Sequence, residues 1–151
     1  MSEKKKFPLK RLADQTGELF DMEQLKGAPF VVYFYPKDDT PGCTKQACSF
    51  RDAYEDFQDL GVPVLGVSSD DPVSHANFAK KYNLPFRLLS DRGSKLRKEV
   101  GVPTNLLGLL PGRVTYVMNA DAEIIHIFNS QLQAERHMEE ALRIIRDLQK
   151  N

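Results

Sequence analysis

Apolar positions along the chain switch between continuous runs and stripes spaced near 3.6 residues, and these switches divide it into strands and helices. Phe30-Val31-Val32-Tyr33-Phe34-Tyr35 is a continuous run of β-branched and aromatic residues. Such a run predicts a strand buried on both faces, as at the centre of an α/β sheet. Pro36 ends it, because proline has no N–H for the ladder. From Cys43 to Leu60 the spacing is helical: Ala47, Phe50, Tyr54, Phe57 and Leu60 share one stripe, and Gly61 closes it. Val62 to Val67 predicts a second buried strand, and Asp71-Pro72 opens a helix reaching Tyr82.

The remaining elements are shorter. Residues 10–20 predict a hairpin turning at Asp14-Gln15-Thr16-Gly17, and a helical turn from Met22 to Leu25 ends at Gly27. Phe86 to Leu89 is a strand, and Ser94 to Val100 a helix ending at Gly101. Val114 to Met118 is a strand that turns through Asn119-Ala120-Asp121-Ala122 into Glu123 to Phe128. Gln133 to Gln149 is a final amphipathic helix. Residues 101–113 form the one long irregular stretch. Strands alternating with helices predict a βαβ core, and the later hairpin adds antiparallel strands. The expected fold is α/β and thioredoxin-like, with a central mixed sheet of about five strands flanked by helices and an N-terminal β-hairpin. One domain is expected over residues 7–151, behind a disordered tail over residues 1–6.

Composition narrows the classes. The chain has 151 residues, with 21 Lys plus Arg against 21 Asp plus Glu, so its net charge is zero. That balance gives no long-range attraction to nucleic acid or to an anionic membrane. No run approaches the ~18 apolar residues that span a bilayer. Lys4 to Lys6 lead to Phe7-Pro8-Leu9 without the apolar core of a secretory signal, so a cytoplasmic, reducing location is expected.

The two cysteines, Cys43 and Cys48, are too few for a disulfide framework, and His75, His126 and His137 lie far from them in sequence. A zinc centre would need about four ligands. Redox chemistry is the remaining reading. Cys43 follows the Pro41-Gly42 turn at the start of a helix, where unpaired N–H groups and the helix dipole favour a thiolate. Gly42 permits close backbone approach. Thr40 offers a hydroxyl that donates and accepts, or simply caps the helix; Pro36 shields the pocket, or simply ends the strand. If both cysteines are helical, their Cα atoms stand about 8.6 Å apart on faces about 140° apart. A disulfide needs Cα atoms within ~7 Å, so a bond between them requires the first turn to unwind. Cys48 reads otherwise as a small buried core residue.

Pro36-Lys37-Asp38-Asp39-Thr40-Pro41-Gly42-Cys43 resembles the Pro-x-x-x-Thr-x-x-Cys signature of the peroxiredoxins. Its extension through Thr44-Lys45-Gln46-Ala47-Cys48-Ser49-Phe50-Arg51-Asp52 is similar to the bacterioferritin comigratory protein and peroxiredoxin Q subfamily. Gly101-Val102-Pro103 and Leu110-Pro111-Gly112-Arg113 look most like its cyanobacterial and plant branch. The resemblance runs from Phe7 to Leu148.

The resemblance implies a peroxidatic Cys43, a resolving Cys48, a peroxide-orienting Thr40 and a covering Pro36. It also implies that Arg113 stabilises thiolate and transition state, a role that nothing else in the sequence assigns. Gln46 departs from the wider superfamily, where Glu often orients that arginine; a neutral hydrogen bond would replace an ion pair and hold Arg113 less firmly. The implied substrates are hydrogen peroxide and alkyl or lipid hydroperoxides, reduced by a thioredoxin-type dithiol donor, with no metal or flavin cofactor and as a monomer. A plant-type chain would work in the chloroplast after loss of a transit peptide. A redox sensor would need the same thiolate. A thioredoxin-type oxidoreductase would use Cys-x-x-Cys, whereas four residues intervene here. Leu106-Leu107-Gly108-Leu109-Leu110 reads as a loop packed on the core, a wall for bulky hydroperoxides, or an oligomer contact.

Overall fold

The computed structural model of the protein describes residues 5–105 and 110–150. It opens with an antiparallel hairpin of β1 (Arg11–Ala13) and β2 (Leu19–Asp21). The core is a five-stranded mixed sheet of β3 (Phe30–Phe34), β4 (Val64–Ser68), β5 (Arg87–Ser90), β8 (Val114–Met118) and β9 (Ile124–Asn129). Their spatial order is β5-β4-β3-β8-β9. β3 runs parallel to β4, and β4 to β5; β8 pairs antiparallel with β3 and β9. This is the thioredoxin-like α/β architecture that the pattern predicts.

Alternation along β3 feeds two cores. Val31 and Tyr33 face one layer, while Phe30, Val32 and Phe34 face the other. The first layer is covered by α1 (Pro41–Asp52), α2 (Tyr54–Asp59), α3 (Pro72–Tyr82) and α5 (Ala134–Gln149), which contribute Ala47, Phe50, Phe57, Phe78, Ala141 and Ile145. On the second layer lie the hairpin, the turn Met22–Leu25 and α4 (Lys95–Val100), with Phe20, Met22, Leu25, Leu96 and Val100.

Three expectations need correction. The helix read as continuous from Cys43 to Leu60 begins earlier, at Pro41, and is broken at Ala53, whose φ of −97° and ψ of 3° are not helical. Pro41 starts it without loss because the first helical N–H has no intrahelical acceptor. Across the break the Phe50 and Phe57 ring centroids lie 6.0 Å apart, so both rings remain in the same core. Next, the stretch expected to be irregular holds a small antiparallel pair, β6 (Thr104–Asn105) with β7 (Leu110–Pro111). Of the Leu106–Leu110 segment, residues 106–109 lie outside the described residues. Finally, Lys5 and Lys6 are not free tail. Lys6 bridges Glu123, Ile124 donates its N–H to the Lys5 carbonyl at 2.8 Å, and the Lys5 ammonium donates to the Val100 carbonyl at 3.2 Å.

Candidate active site

The site forms where β3 ends and α1 begins. Pro36 lies two residues past the end of β3, after Tyr35, and is half-buried. Thr40 takes the extended backbone of a helix cap (φ −94°, ψ 155°), but its side chain makes no capping bond. Its hydroxyl donates instead to the Lys37 carbonyl at 2.9 Å, which leaves the hydroxyl oxygen able to accept. The first intrahelical bond runs from Thr44 N to the Thr40 carbonyl at 2.8 Å. The N–H groups of Gly42 and Cys43 therefore precede any intrahelical acceptor. Cys43 is free, in the first turn and 1% exposed; Cys48 is free and half-buried, on the same helix.

Arg113 comes from the start of β8 and is 4% exposed. Its Nη1 donates to Gln46 Oε1 at 2.6 Å, and its Nε donates to the Gln131 carbonyl at 3.2 Å. A methyl group built on Gly42 would stand 2.9 Å from Arg113 Nη2. The guanidinium thus lies directly against the first turn, in space that only glycine leaves open. Gln46 is fully buried, and its Nε2 has no partner among the described residues. A hydrogen bond to a charged donor contributes about 1.5–3 kcal/mol, which offsets a similar cost for the orphaned N–H. Close by, His137 donates Nε2–H to the Ser130 carbonyl at 2.7 Å and accepts the Thr115 hydroxyl at Nδ1, 2.8 Å away. Burial, with a smaller push from Arg113, lowers its pKa to about 4. His137 is neutral at pH 7, and Arg113 supplies its charge without help from this imidazole.

A buried polar network fixes the loop between strand and helix. The Asp38 carboxylate accepts the Tyr35 hydroxyl at 2.5 Å and the Ser74 hydroxyl at 2.8 Å, and lies 2.7 Å from His75 Nδ1. His75 Nε2 must donate to the Leu89 carbonyl, 3.1 Å away, because a carbonyl only accepts. Asp38 N donates to Asp70 Oδ2 at 2.8 Å. Asp39, at φ +56°, pairs with Lys81 at 2.8 Å and accepts the Tyr82 hydroxyl at 3.0 Å. Asp38, Asp70 and His75 bring three potential metal-ligating atoms within 4.8 Å of one another. The network already engages all three residues, and it reads as a loop anchor.

Comparison with known proteins resolves the family. Residues 4–127 match the AhpC/TSA family. The chain belongs to that family. It is 56% identical over 137 residues to the chloroplastic peroxiredoxin Q of Populus jackii, covering 91% of this chain and 64% of the relative. This AhpC/TSA chain therefore spans just under two thirds of the length of that curated relative. Among solved structures, the peroxidoxin BcpB of Mycobacterium tuberculosis superposes with a TM-score of 0.88, at 32% identity and 98% coverage of each chain. The bacterioferritin comigratory protein of Xanthomonas campestris, whose structures concern alkyl peroxide reduction, gives 0.83 at 27% identity, covering 91% of this chain and 90% of its own. The AhpC/TSA chain groups with the peroxiredoxins Q, the assignment its Cys43 motif pointed to. Its plant relatives are chloroplastic. No described helix is long and apolar enough to cross a membrane.

Of the residues singled out in this family member's sequence, Gly42, Cys43 and Arg113 converge, joined by Gln46. Thr40 and Pro36 flank them on the chain, and Cys48 points to different surroundings, a cavity of about 510 Å³ lined by Ser49, Asp52, Glu135, Met138 and Leu142. Gln46 accepts from Arg113 at 2.6 Å, the neutral hydrogen bond expected where the wider superfamily places an ion pair. The sequence did not reveal Asp38 and His75, because a lone histidine on an apolar helix face carries no signal of its partner. Nor did it reveal Arg97, a second buried arginine whose side chain reaches the same strand ends.

Proposed function

We propose that the chain is a two-cysteine thiol peroxidase. The observation that carries this reading is the buried Cys43 thiol in the first turn of α1, with the Arg113 guanidinium packed against that turn and a second free cysteine on the same helix. Unpaired N–H groups and a fixed guanidinium favour the Cys43 thiolate. The thiolate attacks one peroxide oxygen, and the O–O bond breaks. Negative charge moves to the leaving oxygen, where Arg113 and the first-turn N–H groups stabilise it until it takes a proton and departs as water or an alcohol. Thr40 Oγ1 accepts from the peroxide O–H and orients it, while Pro36 limits water around the sulfur. The product is Cys43 sulfenic acid.

Cys48 then attacks that sulfur. The S–O bond breaks, water leaves, and a Cys43–Cys48 disulfide forms. On ideal helix geometry the Cα atoms begin about 8.6 Å apart, beyond disulfide reach, so α1 must unwind between them. A thioredoxin-type dithiol returns both sulfurs to thiols by exchange and leaves as its own disulfide. Hydrogen peroxide and organic hydroperoxides are the proposed substrates, with no metal or flavin. We assign the chain to a monomer in the cytoplasm or in a chloroplast.

The test is peroxide consumption coupled to thioredoxin, thioredoxin reductase and NADPH. Turnover by wild type, none by Cys43→Ser, and loss of thioredoxin-linked turnover by Cys48→Ser support the cycle. Full activity in Cys48→Ser removes Cys48 from it. Consumption of a single equivalent by wild type would indicate another donor, or a sensor.

A further inference from the structure

Arg97 lies on α4, against the sheet face opposite α1, and is 6% exposed. Its guanidinium sits 5.5 Å from the centroid of the Phe34 ring and reaches the ends of two central strands. Nη1 donates to the Gly112 carbonyl at 2.8 Å, and Nη2 donates to the Tyr35 carbonyl at 3.1 Å. Gly112 immediately precedes Arg113, and Tyr35 immediately precedes Pro36. The β3–β8 register has its last pair at Phe34 and Val114. Pro36 has no N–H with which to extend that ladder. Arg97 supplies two donors in a rigid planar fork at the point where the backbone stops pairing.

The arginine is itself held. The Asp91 carboxylate accepts the N–H groups of Leu96 and Arg97 at 2.8 and 2.9 Å, and Asp91 N donates to the Ser68 carbonyl at 2.8 Å. That chain of bonds ties the start of α4 to the end of β4. We propose that Arg97 is a positioning residue for the peroxide step: its two hydrogen bonds set the spacing of the strand ends that carry Pro36 and Arg113, and thereby the place of the Arg113 guanidinium against the first turn of α1. The inference rests on the peroxidase reading above. Burial lowers the Arg97 pKa, while Asp91, Tyr116 and Cys43 oppose that shift in decreasing order. Arginine keeps its proton regardless, so Arg97 is also a second fixed positive charge within reach of Cys43. Lysine in its place would preserve charge but offer no fork.

The experiment compares Arg97, Arg97→Lys and Arg97→Met in two measurements. Stopped-flow gives the rate of the reduced protein with hydrogen peroxide, and alkylation of Cys43 against pH, in a Cys48→Ser background, follows its thiolate. Arg97→Met is expected to slow the peroxide step by about 10- to 100-fold and to move the alkylation profile to higher pH. Arg97→Lys should keep the wild-type profile yet recover only a small part of the rate, a separation that a merely structural role would not produce. Wild-type rate and profile in Arg97→Met overturn the inference. Should Arg97→Met fail to fold, a wild-type peroxide rate in Arg97→Lys overturns it. If wild type does not react with peroxide at all, the peroxidase reading fails; the alkylation profile still judges Arg97, supporting it when shifted and overturning it when coincident.

Discussion

Cys43 and Cys48 stand on one helix in opposite surroundings. At the first turn, Cys43 is 1% exposed, and the helix start is packed against Arg113 with no room for a side chain at Gly42. Five residues on, Cys48 is half-buried and borders an open cavity whose rim includes Asp52, Glu135 and Met138. The first end is tightly built and electropositive. The other has space and a rim of mixed charge, with Lys45 beside Asp52 and Glu135. One end is suited to hold an anion still during attack, and the other to move and be reached by an external thiol.

The contrast can be broken in stages, from the largest expected effect downward. Arg113→Met should lower the rate of the peroxide step about 10²- to 10³-fold and leave reduction of the oxidised protein by dithiothreitol unchanged, as read by stopped-flow on each half-reaction. Equal losses in both would mean the two ends are not independent. Oxidation should remove amide-exchange protection across Pro41–Asp52 while Tyr54–Asp59 keeps its own. Unchanged protection near Cys43 and Cys48 would exclude unwinding. His137 titrates next to the tight end. Its pKa of about 4 lies below the ordinary 6.5, so as pH falls the unfolded chain takes up that proton first. Its contribution is full above pH 6.5 and is lost toward pH 4, costing about 3 kcal/mol of stability at the lower limit. Urea melts of wild type and His137→Gln should diverge across that window, with the flatter curve in the variant.

Smaller changes sharpen the picture. Gly42→Ala should push the Arg113 guanidinium aside and slow the peroxide step about tenfold, without changing the donor step. Gln46→Glu replaces an orphaned amide N–H by a carboxylate oxygen and should raise the melting temperature by a few degrees, about 1 kcal/mol. The same negative charge offsets Arg113 at the sulfur, so alkylation of Cys43 should shift to higher pH and the peroxide rate fall a few-fold. A glutamine there trades stability for an uncompensated guanidinium.

The fold was legible because β3 is an unbroken apolar run, β4 and β8 are rich in β-branched and other apolar residues, and α5 is strongly amphipathic, patterns that local periodicity records directly. The break at Ala53 was not, because Phe50 and Phe57 stay in phase on either side of it. Cys43 and Cys48 were legible from type and spacing alone. Arg113 required a resemblance, and Gln46 could be placed only as a departure from one. Asp38, His75 and Arg97 escaped entirely. Their partners lie 37 residues away in sequence for Asp38 with His75, and 15 and 62 away for Arg97 with Gly112 and Tyr35. Contacts that distant leave no local pattern.

The break at Ala53 also sets a timescale. It leaves Pro41–Asp52 as a separate helix of 12 residues, near the length at which an isolated helix is marginal in water. Such a segment can be lost without dragging Tyr54–Asp59 with it, and helix re-formation in chains of this size takes about a microsecond or less. Once the disulfide of the proposed cycle is cut, the first turn is rebuilt long before the next peroxide arrives. The fold then keeps no memory of how often it has been oxidised.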